Sequence, residues 1–237
     1  MPVYYSENIE ILEKNLGYSF KNKDLLIESL THKSFYHENP DKVRSFNERL
    51  EFLGDAVLGC VIASYLFNHP SLFPESVMSK IKSFVVRGAI LYDIALRLNL
   101  GTFIRLGKGE EETGGRQKRS ILANAMEAVF GAVLIDGGYE KAMEVILNLF
   151  KERLKLVIAS GQYYDYKTEL QEMTQTLYGV LPEYRMVGQE GEEHEKIFTV
   201  KVIINGQEMG SGIGRSKKDA QMMAAREAIG KLKTVCS

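Results

Sequence analysis

Hydrophobic residues recur every three or four positions through most of the first 158 residues, which is the spacing of one helix face. Leu12 and Leu16 belong to a run that stops at Gly17. Asn47 is a good N-cap for a helix over 48–67, and Ser120 for an apolar helix that ends at Gly137-Gly138. A last helix is predicted over 140–158. The same period continues at Leu25, Leu26, Leu30, Met78, Ile81, Val85, Leu91, Ile94 and Leu98.

The pattern changes after Ser160-Gly161. A short helix is predicted over 167–178, and strands over 183–187, 198–204 and 207–213, before a closing helix over 216–233. Asn205-Gly206 between the last two strands indicates a type I′ hairpin. The sequence therefore predicts an all-α domain over 1–159, a linker over 160–163 and an α+β domain of α-β-β-β-α order over 164–235.

Composition narrows the class of protein only slightly. The 237 residues include 30 Lys and Arg against 31 Asp and Glu, a net charge of -1. A nucleic-acid site would therefore have to come from local clustering of charge. No signal peptide and no apolar run near the ~20 residues of a membrane span are evident, so a cytoplasmic location and no membrane are expected. Cys60 is expected to be a buried thiol, and it has no metal-ligand spacing to Cys236.

Three acids share one face of the predicted helix over 48–67. Glu48, Glu51 and Asp55 lie three and four residues apart, and Gly54 gives close access beside them. Acids crowded together repel each other, and oxygen ligation of Mg²⁺ is a physical reason for such a face. A solvated acidic surface is the alternative that this helix alone leaves open.

The predicted helix over 120–135 is apolar nearly all round, which indicates burial. Asn124 and Glu127 are its strongly polar interior residues. A buried carboxylate without a partner is costly, so Glu127 requires a hydrogen-bonding partner or a cation. Packing against Glu51 and Asp55 would create an oxygen-rich pocket, and a structural hydrogen-bond network is the alternative.

At these residues the sequence resembles bacterial ribonuclease III. The stretches that carry the resemblance are NERLEFLGDAVL at 47–58, LGYSF and SLTHKSF within 16–35, and SILANAMEAVFGAVLID at 120–136. The resemblance implies a homodimer of α-helical endonuclease domains, each followed by a double-stranded RNA-binding domain. It also implies cleavage of duplex RNA to 5′-phosphate and 3′-hydroxyl ends, with Mg²⁺ as cofactor, Mn²⁺ as a substitute, and a role in processing of ribosomal precursors and other RNAs.

Site residues follow from the same resemblance. Glu51, Asp55, Asn124 and Glu127 fall on metal-binding positions. Asp55 and Glu127 are also expected to be catalytic, with Glu48 as a supporting residue and Glu75 linked to a second part of the site. The family usually has Asp where this chain has Asn124, which removes one negative charge. The alternative is therefore a dimer that binds duplex RNA but cuts it weakly or not at all.

The C-terminal domain offers polar groups suited to the 2′-hydroxyls and phosphates of A-form RNA. One face of its first helix carries amide, hydroxyl and carboxylate groups, its first strand loop carries His194, and its last helix opens with cations. Taken separately, each of these groups could be an ordinary solvent-exposed polar side chain with no part in binding. A third reading, an unrelated helical metal protein with a fused α+β domain, predicts no affinity for duplex RNA. The expected RNA-binding residues are Thr168, Gln171, Glu172, Gln175, His194, Arg215, Ser216, Lys217 and Lys218.

One glycine-rich segment carries no nucleotide-binding signature. Residues 107–115 contain several glycines, but no Gly-Lys-Ser/Thr follows at the spacing of a P-loop. We expect this segment to be a surface loop.

Overall fold

The computed structural model describes residues 6–161, 163, 165–192 and 196–235, without the side chains of 6–8 and 234–235. By its internal contacts the chain divides after Tyr163 into a helical unit and an α+β unit. The predicted order of an all-α part followed by an α-β-β-β-α part is confirmed. Helix α9 runs through Ser160, the first residue of the predicted linker.

The helical unit contains nine α-helices and two short 3₁₀ turns within the described residues. The 3₁₀ turns are Leu100–Thr102 and Gly115–Gln117. The helices are α1 (Ser6–Leu16), α2 (Lys23–Ser29), α3 (Lys33–Glu38), α4 (Glu48–Phe67), α5 (Glu75–Val85), α6 (Gly88–Arg97), α7 (Lys108–Glu112), α8 (Arg119–Gly137) and α9 (Tyr139–Ser160).

Helices α4 and α8 form the centre of the helical unit. Leu58 and Ile62 of α4 and Val129 and Phe130 of α8 are fully buried in one hydrophobic core. By length and mean hydropathy alone, both helices could cross a membrane, although the sequence pattern predicted no segment long enough. Their packing in this core explains their apolar composition without a membrane.

Neither of the two predicted N-terminal helix caps is found in the structure. Helix α4 begins at Glu48 as predicted, but the Asn47 side chain makes no cap hydrogen bond. Asn47 is buried, and its backbone N–H donates to the carbonyl of Thr31 at 2.9 Å. Helix α8 begins at Arg119 after Lys118, so Ser120 lies inside the first turn and cannot cap it.

One prediction about exposure was wrong, and one predicted surface loop is partly helical. Cys60 is exposed on α4, where its sulfur lies 3.8 Å from the Tyr139 hydroxyl, because it falls between the buried positions of the helix. Cys236 lies outside the described residues. The segment 107–115 contains α7 rather than only loop, and Gly115 is buried where a Cβ would meet the backbone of Glu110 at 2.7 Å.

The α+β unit is a three-stranded antiparallel sheet of order β1-β2-β3. Helix α11 packs against β2 and β3, and α10 packs against α11. Asn205 and Gly206 both have positive φ, 50° and 79°, as the predicted type I′ hairpin requires. Strand β1 is longer than predicted and has an irregularity between Met186 and Gly188. The elements are α10 (Tyr166–Tyr178), β1 (Glu183–Glu190), β2 (Ile197–Ile204), β3 (Gln207–Gly214) and α11 (Lys217–Val235).

Helix α11 lies unusually close to strand β3. A Cβ on Gly212 would lie 2.2 Å from the carbonyl oxygen of Ala220 and 2.2 Å from the amide of Ala224. Glycine on the strand and alanine on the helix therefore let the two backbones approach. This packing fixes the N-terminus of α11, which carries Lys217 and Lys218, relative to the sheet.

Candidate functional site

The acidic site of the helical unit is built where α4 and α8 cross. A Cβ on Gly54 would lie 1.8 Å from the carbonyl oxygen of Glu127, and one on Gly131 would lie 2.1 Å from that of Leu50. Real Cβ atoms do not approach other atoms so closely, so each glycine is required by the neighbouring backbone. The two helices therefore meet backbone to backbone at a pair of glycines.

This crossing brings together the polar residues predicted on the two helices. Glu51 and Asp55 flank Gly54 on α4, and Asn124 lies one turn before Glu127 on α8. The Asn124 amide donates a hydrogen bond to the Glu51 carboxylate. The charges of Asp55 and Glu51 both act on Glu127. The four predicted metal-binding residues thus form one group across the α4–α8 contact.

Burial and mutual repulsion perturb the acids of this group. Burial, followed by the charges of Asp55 and Glu51, raises the pKa of Glu127 to about 7. Burial and the charge of Glu48 raise the pKa of Glu51 as well, while the Asn124 hydrogen bond and the Lys33 cation oppose that rise. Near neutral pH, Glu127 therefore exchanges readily between its charged and neutral forms.

The chemistry of these donors fits a hard divalent cation. Glu51, Asp55, Asn124 and Glu127 offer only oxygen acceptors, which Mg²⁺ prefers. A cation among them would remove the repulsion that raises the pKa of Glu127. Among the described residues, no three His, Cys, Asp or Glu side chains are already grouped closely enough to hold an ion. One of the four donors, Asn124, is an amide and lies outside those residue types.

Two further predicted residues lie outside this group. Glu48 is half-exposed in the first turn of α4, and its Oε1 lies 3.1 Å from the Nζ of Lys33. Its charge acts on Glu51, which places it at the rim of the site. Glu75 is exposed in the first turn of α5. The structure therefore ties Glu48 to the acidic group, whereas the role of Glu75 stays a prediction.

Sequence reasoning missed two residues beside the acids. Lys33 precedes Glu48 by 15 positions, and no helical period connects the two residues. Phe52 directly follows Glu51, yet its side chain is 81% exposed. Its place on the acidic side of α4, away from Leu50 and Val57, could have signalled that exposure.

The predicted RNA face of α10 is accessible. Thr168, Gln171, Glu172 and Gln175 are all exposed. The side chain of Asp165 accepts hydrogen bonds from the backbone amide of Thr168 at 3.2 Å and from its hydroxyl at 3.0 Å, so Thr168 is also part of the N-terminal cap. The other three side chains remain available on one polar face.

The second predicted RNA contact lies at the start of α11. Arg215, Lys217 and Lys218 are exposed beside the helix N-terminus. The Ser216 hydroxyl accepts from the Asp219 amide at 3.1 Å and donates to the Asp219 carboxylate at 2.7 Å, so Ser216 acts as the cap. The cations can therefore meet phosphate while Ser216 holds the helix end. His194 lies outside the described residues.

Comparisons with known proteins agree with this two-part architecture. Residues 22–154 match the family described as Ribonuclease-III-like, and residues 166–232 match the double-stranded RNA binding motif. The crystal structure of the nuclease domain of ribonuclease III from Campylobacter jejuni is similar, with a TM-score of 0.56 and 45% identity. That match covers 62% of this chain and 95% of the solved one.

Full-length relatives extend the similarity across both units. Ribonuclease 3 of Syntrophotalea carbinolica is 43% identical over 224 residues, which are 94% of this chain and 97% of the relative. Ribonuclease 3 of Caldanaerobacter subterraneus is 45% identical over 221 residues, which are 93% and 96% of the two chains. With the matched families in the order of the two observed units, the chain belongs to the ribonuclease III family.

Proposed function

We propose that the chain is a metal-dependent endoribonuclease that cuts double-stranded RNA to 5′-phosphate and 3′-hydroxyl ends. The observation that carries this proposal is the group formed by Glu51, Asp55, Asn124 and Glu127 where α4 and α8 cross. The relatives named Ribonuclease 3 and the double-stranded RNA binding motif support the substrate class. Processing of ribosomal precursors and other RNAs, in the cytoplasm, stays a prediction.

Mg²⁺ is the cofactor that we propose, with Mn²⁺ as a substitute. Glu51, Asp55, Glu127 and the carbonyl oxygen of Asn124 would hold it. When bound, a divalent cation supplies a water of lowered pKa and positive charge that stabilises the phosphate oxygens. The chain itself sets the spacing of the acids through Gly54, and the Asn124 amide orients Glu51 through its hydrogen bond.

We further propose that two copies of the chain form the active enzyme. Phe52 is 81% exposed directly beside Glu51, and a large exposed aromatic side chain is typical of a protein interface. The solved Campylobacter jejuni nuclease domain has a region described as involved in dimer formation. A two-fold dimer would present two acidic sites to the two strands of one duplex, whose backbone has approximate two-fold symmetry.

The RNA-binding surface that we propose is the polar face of α10 together with the start of α11. Gln171, Glu172 and Gln175 suit the 2′-hydroxyls of a minor groove. Lys217 and Lys218 suit the phosphates, since cations and a helix N-terminus both attract anions. This surface recognises the shape of the duplex rather than its sequence.

The critical experiment asks whether the chain cuts duplex RNA with Asn124 in place of the usual Asp. The chain and its Asn124→Asp, Glu127→Gln and Glu144→Gln variants are incubated with a labelled RNA duplex and Mg²⁺, beside single-stranded RNA. We expect the chain to cut only the duplex and Glu127→Gln to cut at least about 100-fold more slowly. Glu144 is an exposed glutamate paired with Lys141 on α9, so its variant is the matched control.

The same experiment contains the outcomes that would contradict the proposal. Cleavage only by Asn124→Asp would show that this chain lacks nuclease activity, as the binding-only alternative predicts. Undiminished cleavage by Glu127→Gln would refute the proposed site. The binding-only alternative rests on the negative charge that Asn124 lacks, whereas Asn124 retains a carbonyl oxygen for a cation and donates a hydrogen bond to Glu51.

A further inference from the structure

Lys33 lies at the rim of the acidic site. Its Nζ is 3.1 Å from the Oε1 of Glu48, and both side chains are about half-exposed, at 56% and 50%. The pair joins the first residue of α3 to the first residue of α4. The family comparison assigns no function to this lysine, and the reaction described above does not use it.

Three hydrogen bonds hold the residues around Lys33. The amide of Asn47, just before α4, donates to the carbonyl of Thr31 at 2.9 Å. The amide of His32 donates to the carbonyl of Arg105 at 3.1 Å, and the amide of Gly107 donates to the Ser34 hydroxyl at 2.9 Å. These bonds fix residues 31–34 relative to the start of α4.

The His32 side chain completes this support. Its Nδ1 lies 2.8 Å from the Ser34 hydroxyl, so the residues on both sides of Lys33 are hydrogen-bonded to each other. An exposed ion pair is ordinarily weak because two long side chains must be ordered. The ordered backbone on both sides of Lys33 fixes where its side chain starts, so the pair with Glu48 forms without further ordering of the main chain.

Lys33 offsets the effect of Glu48 on the neighbouring acid. At Glu51 the charges of Lys33 and Glu48 act in opposite directions. A duplex that approaches Glu51 and Asp55 brings its own negative phosphates towards negative carboxylates. A lysine at this rim reduces the repulsion on the side where Glu48 stands.

We propose that Lys33 is a positioning residue for RNA cleavage: it holds Glu48 at the rim of the acidic site and offsets its charge, so that a phosphate can approach. This inference rests on the proposed nuclease function and deepens it. It assigns a purpose to residues 31–34, which end the connection from α2 and begin α3.

The role predicts effects of opposite sign on cleavage and on cation binding. Without Lys33, Glu48 is no longer held and the rim is more negative, so cleavage slows. The same gain in negative charge attracts a divalent cation more strongly. Damage to the fold would instead weaken both cleavage and cation binding.

The test compares Lys33→Met with Lys33→Arg and with Lys155→Met. Lys155 is paired with Glu152 at 3.0 Å on α9, so its variant removes the same charge and the same kind of ion pair elsewhere in the helical unit. Measurements are kcat and KM on an RNA duplex with Mg²⁺, the affinity for Mn²⁺ alone by titration calorimetry, and the midpoint of thermal unfolding.

For Lys33→Met we expect kcat to fall about tenfold with KM changed less than about twofold. The Mn²⁺ affinity rises about threefold. Lys33→Arg restores most of kcat because it keeps the charge, and Lys155→Met changes neither quantity. In a Glu48→Gln background, Lys33→Met causes little further loss of kcat, because the lysine acts through Glu48.

Three results would overturn the inference: kcat of Lys33→Met equal to that of Lys155→Met, additive losses in the Glu48→Gln background, or cation affinity that falls together with the unfolding midpoint. Failure of the unaltered chain to cut duplex RNA would instead contradict the proposed function. The Mn²⁺ titration still decides the inference in that case, because an unchanged or weaker affinity of Lys33→Met refutes it without any cleavage.

Discussion

Glu127 shows how the surroundings of one carboxyl group set its charge. It is carried by a helix that is otherwise apolar and buried, and Asp55 and Glu51 stand opposite. Both burial and these two charges favour the neutral form, and together they raise its pKa to about 7. The residue therefore destabilises the metal-free protein when it is ionised, and a bound cation removes that cost.

A pH prediction follows from the sign of this shift. Between its ordinary pKa of 4.5 and about 7, Glu127 holds a proton in the folded chain that it loses on unfolding. Its contribution to stability is therefore complete below pH 4.5 and is lost as pH rises through about 7. We expect the metal-free unfolding midpoint to fall from pH 5 to pH 8 more steeply than in Glu127→Gln, measured by circular dichroism.

Mg²⁺ should counteract this loss most strongly at the higher pH, since binding requires the ionised form. Glu144→Gln serves as the control and should follow the unaltered chain at every pH. Parallel pH profiles for the chain and Glu127→Gln would show that Glu127 does not titrate in this range.

At the scale of elements, the crossing of α4 and α8 decides the spacing of the acids. Gly54→Ala would place a Cβ 1.8 Å from the carbonyl oxygen of Glu127, so the helices would have to separate. We expect a loss of about 2–3 kcal/mol in the free energy of unfolding and a large loss of cleavage. Urea unfolding and duplex cleavage measure the two effects.

Gly59 of the same helix provides the control. A Cβ there meets no atom within 4 Å, so Gly59→Ala should stabilise the chain by up to about 1 kcal/mol, by helix propensity. Equal effects of the two substitutions would show that the close approach at Gly54 does not matter.

The RNA contact proposed at the start of α11 is tested by charge removal. Lys217→Ala and Lys218→Ala should each weaken duplex binding and reduce the slope of log affinity against log salt by about one. Lys201→Ala is the control, since Lys201 lies on β2 and is paired with Glu208 at 2.7 Å. Fluorescence anisotropy at several salt concentrations measures both quantities. A salt slope in Lys218→Ala like that of Lys201→Ala would remove α11 from the proposed surface.

Periodicity and turn chemistry predicted most elements, because they are local properties. The start of α4 at Glu48 and the turn at Asn205-Gly206 were predicted correctly for that reason. The cap predicted at Asn47 was wrong because its backbone already has helical angles, φ -69° and ψ -16°, whereas a capping residue is typically extended. Lys33 was missed because no local pattern encodes its contact with Glu48, which only the folded chain brings about. The grouping of Glu51 with Asn124 could be anticipated because a buried polar residue needs a partner.

At the scale of the whole molecule, we expect association through the exposed side of α4. Phe52→Lys should convert a dimer into a monomer and lower cleavage, because a charge at a buried interface is costly. Leu72, 82% exposed beyond the opposite end of α4, gives the matched control Leu72→Lys. Sedimentation velocity measures the molar mass. A Phe52→Lys variant that remains dimeric would place the interface elsewhere on the chain.

The glycine pair at the helix crossing has a consequence for anyone who transplants this site. Because Gly54 and Gly131 meet bare backbone, no change of rotamer can compensate for a larger residue at either position. A helical scaffold engineered to carry the four proposed metal ligands would need both glycines as well. A library randomised at the two positions and selected for nuclease activity should return the pair together.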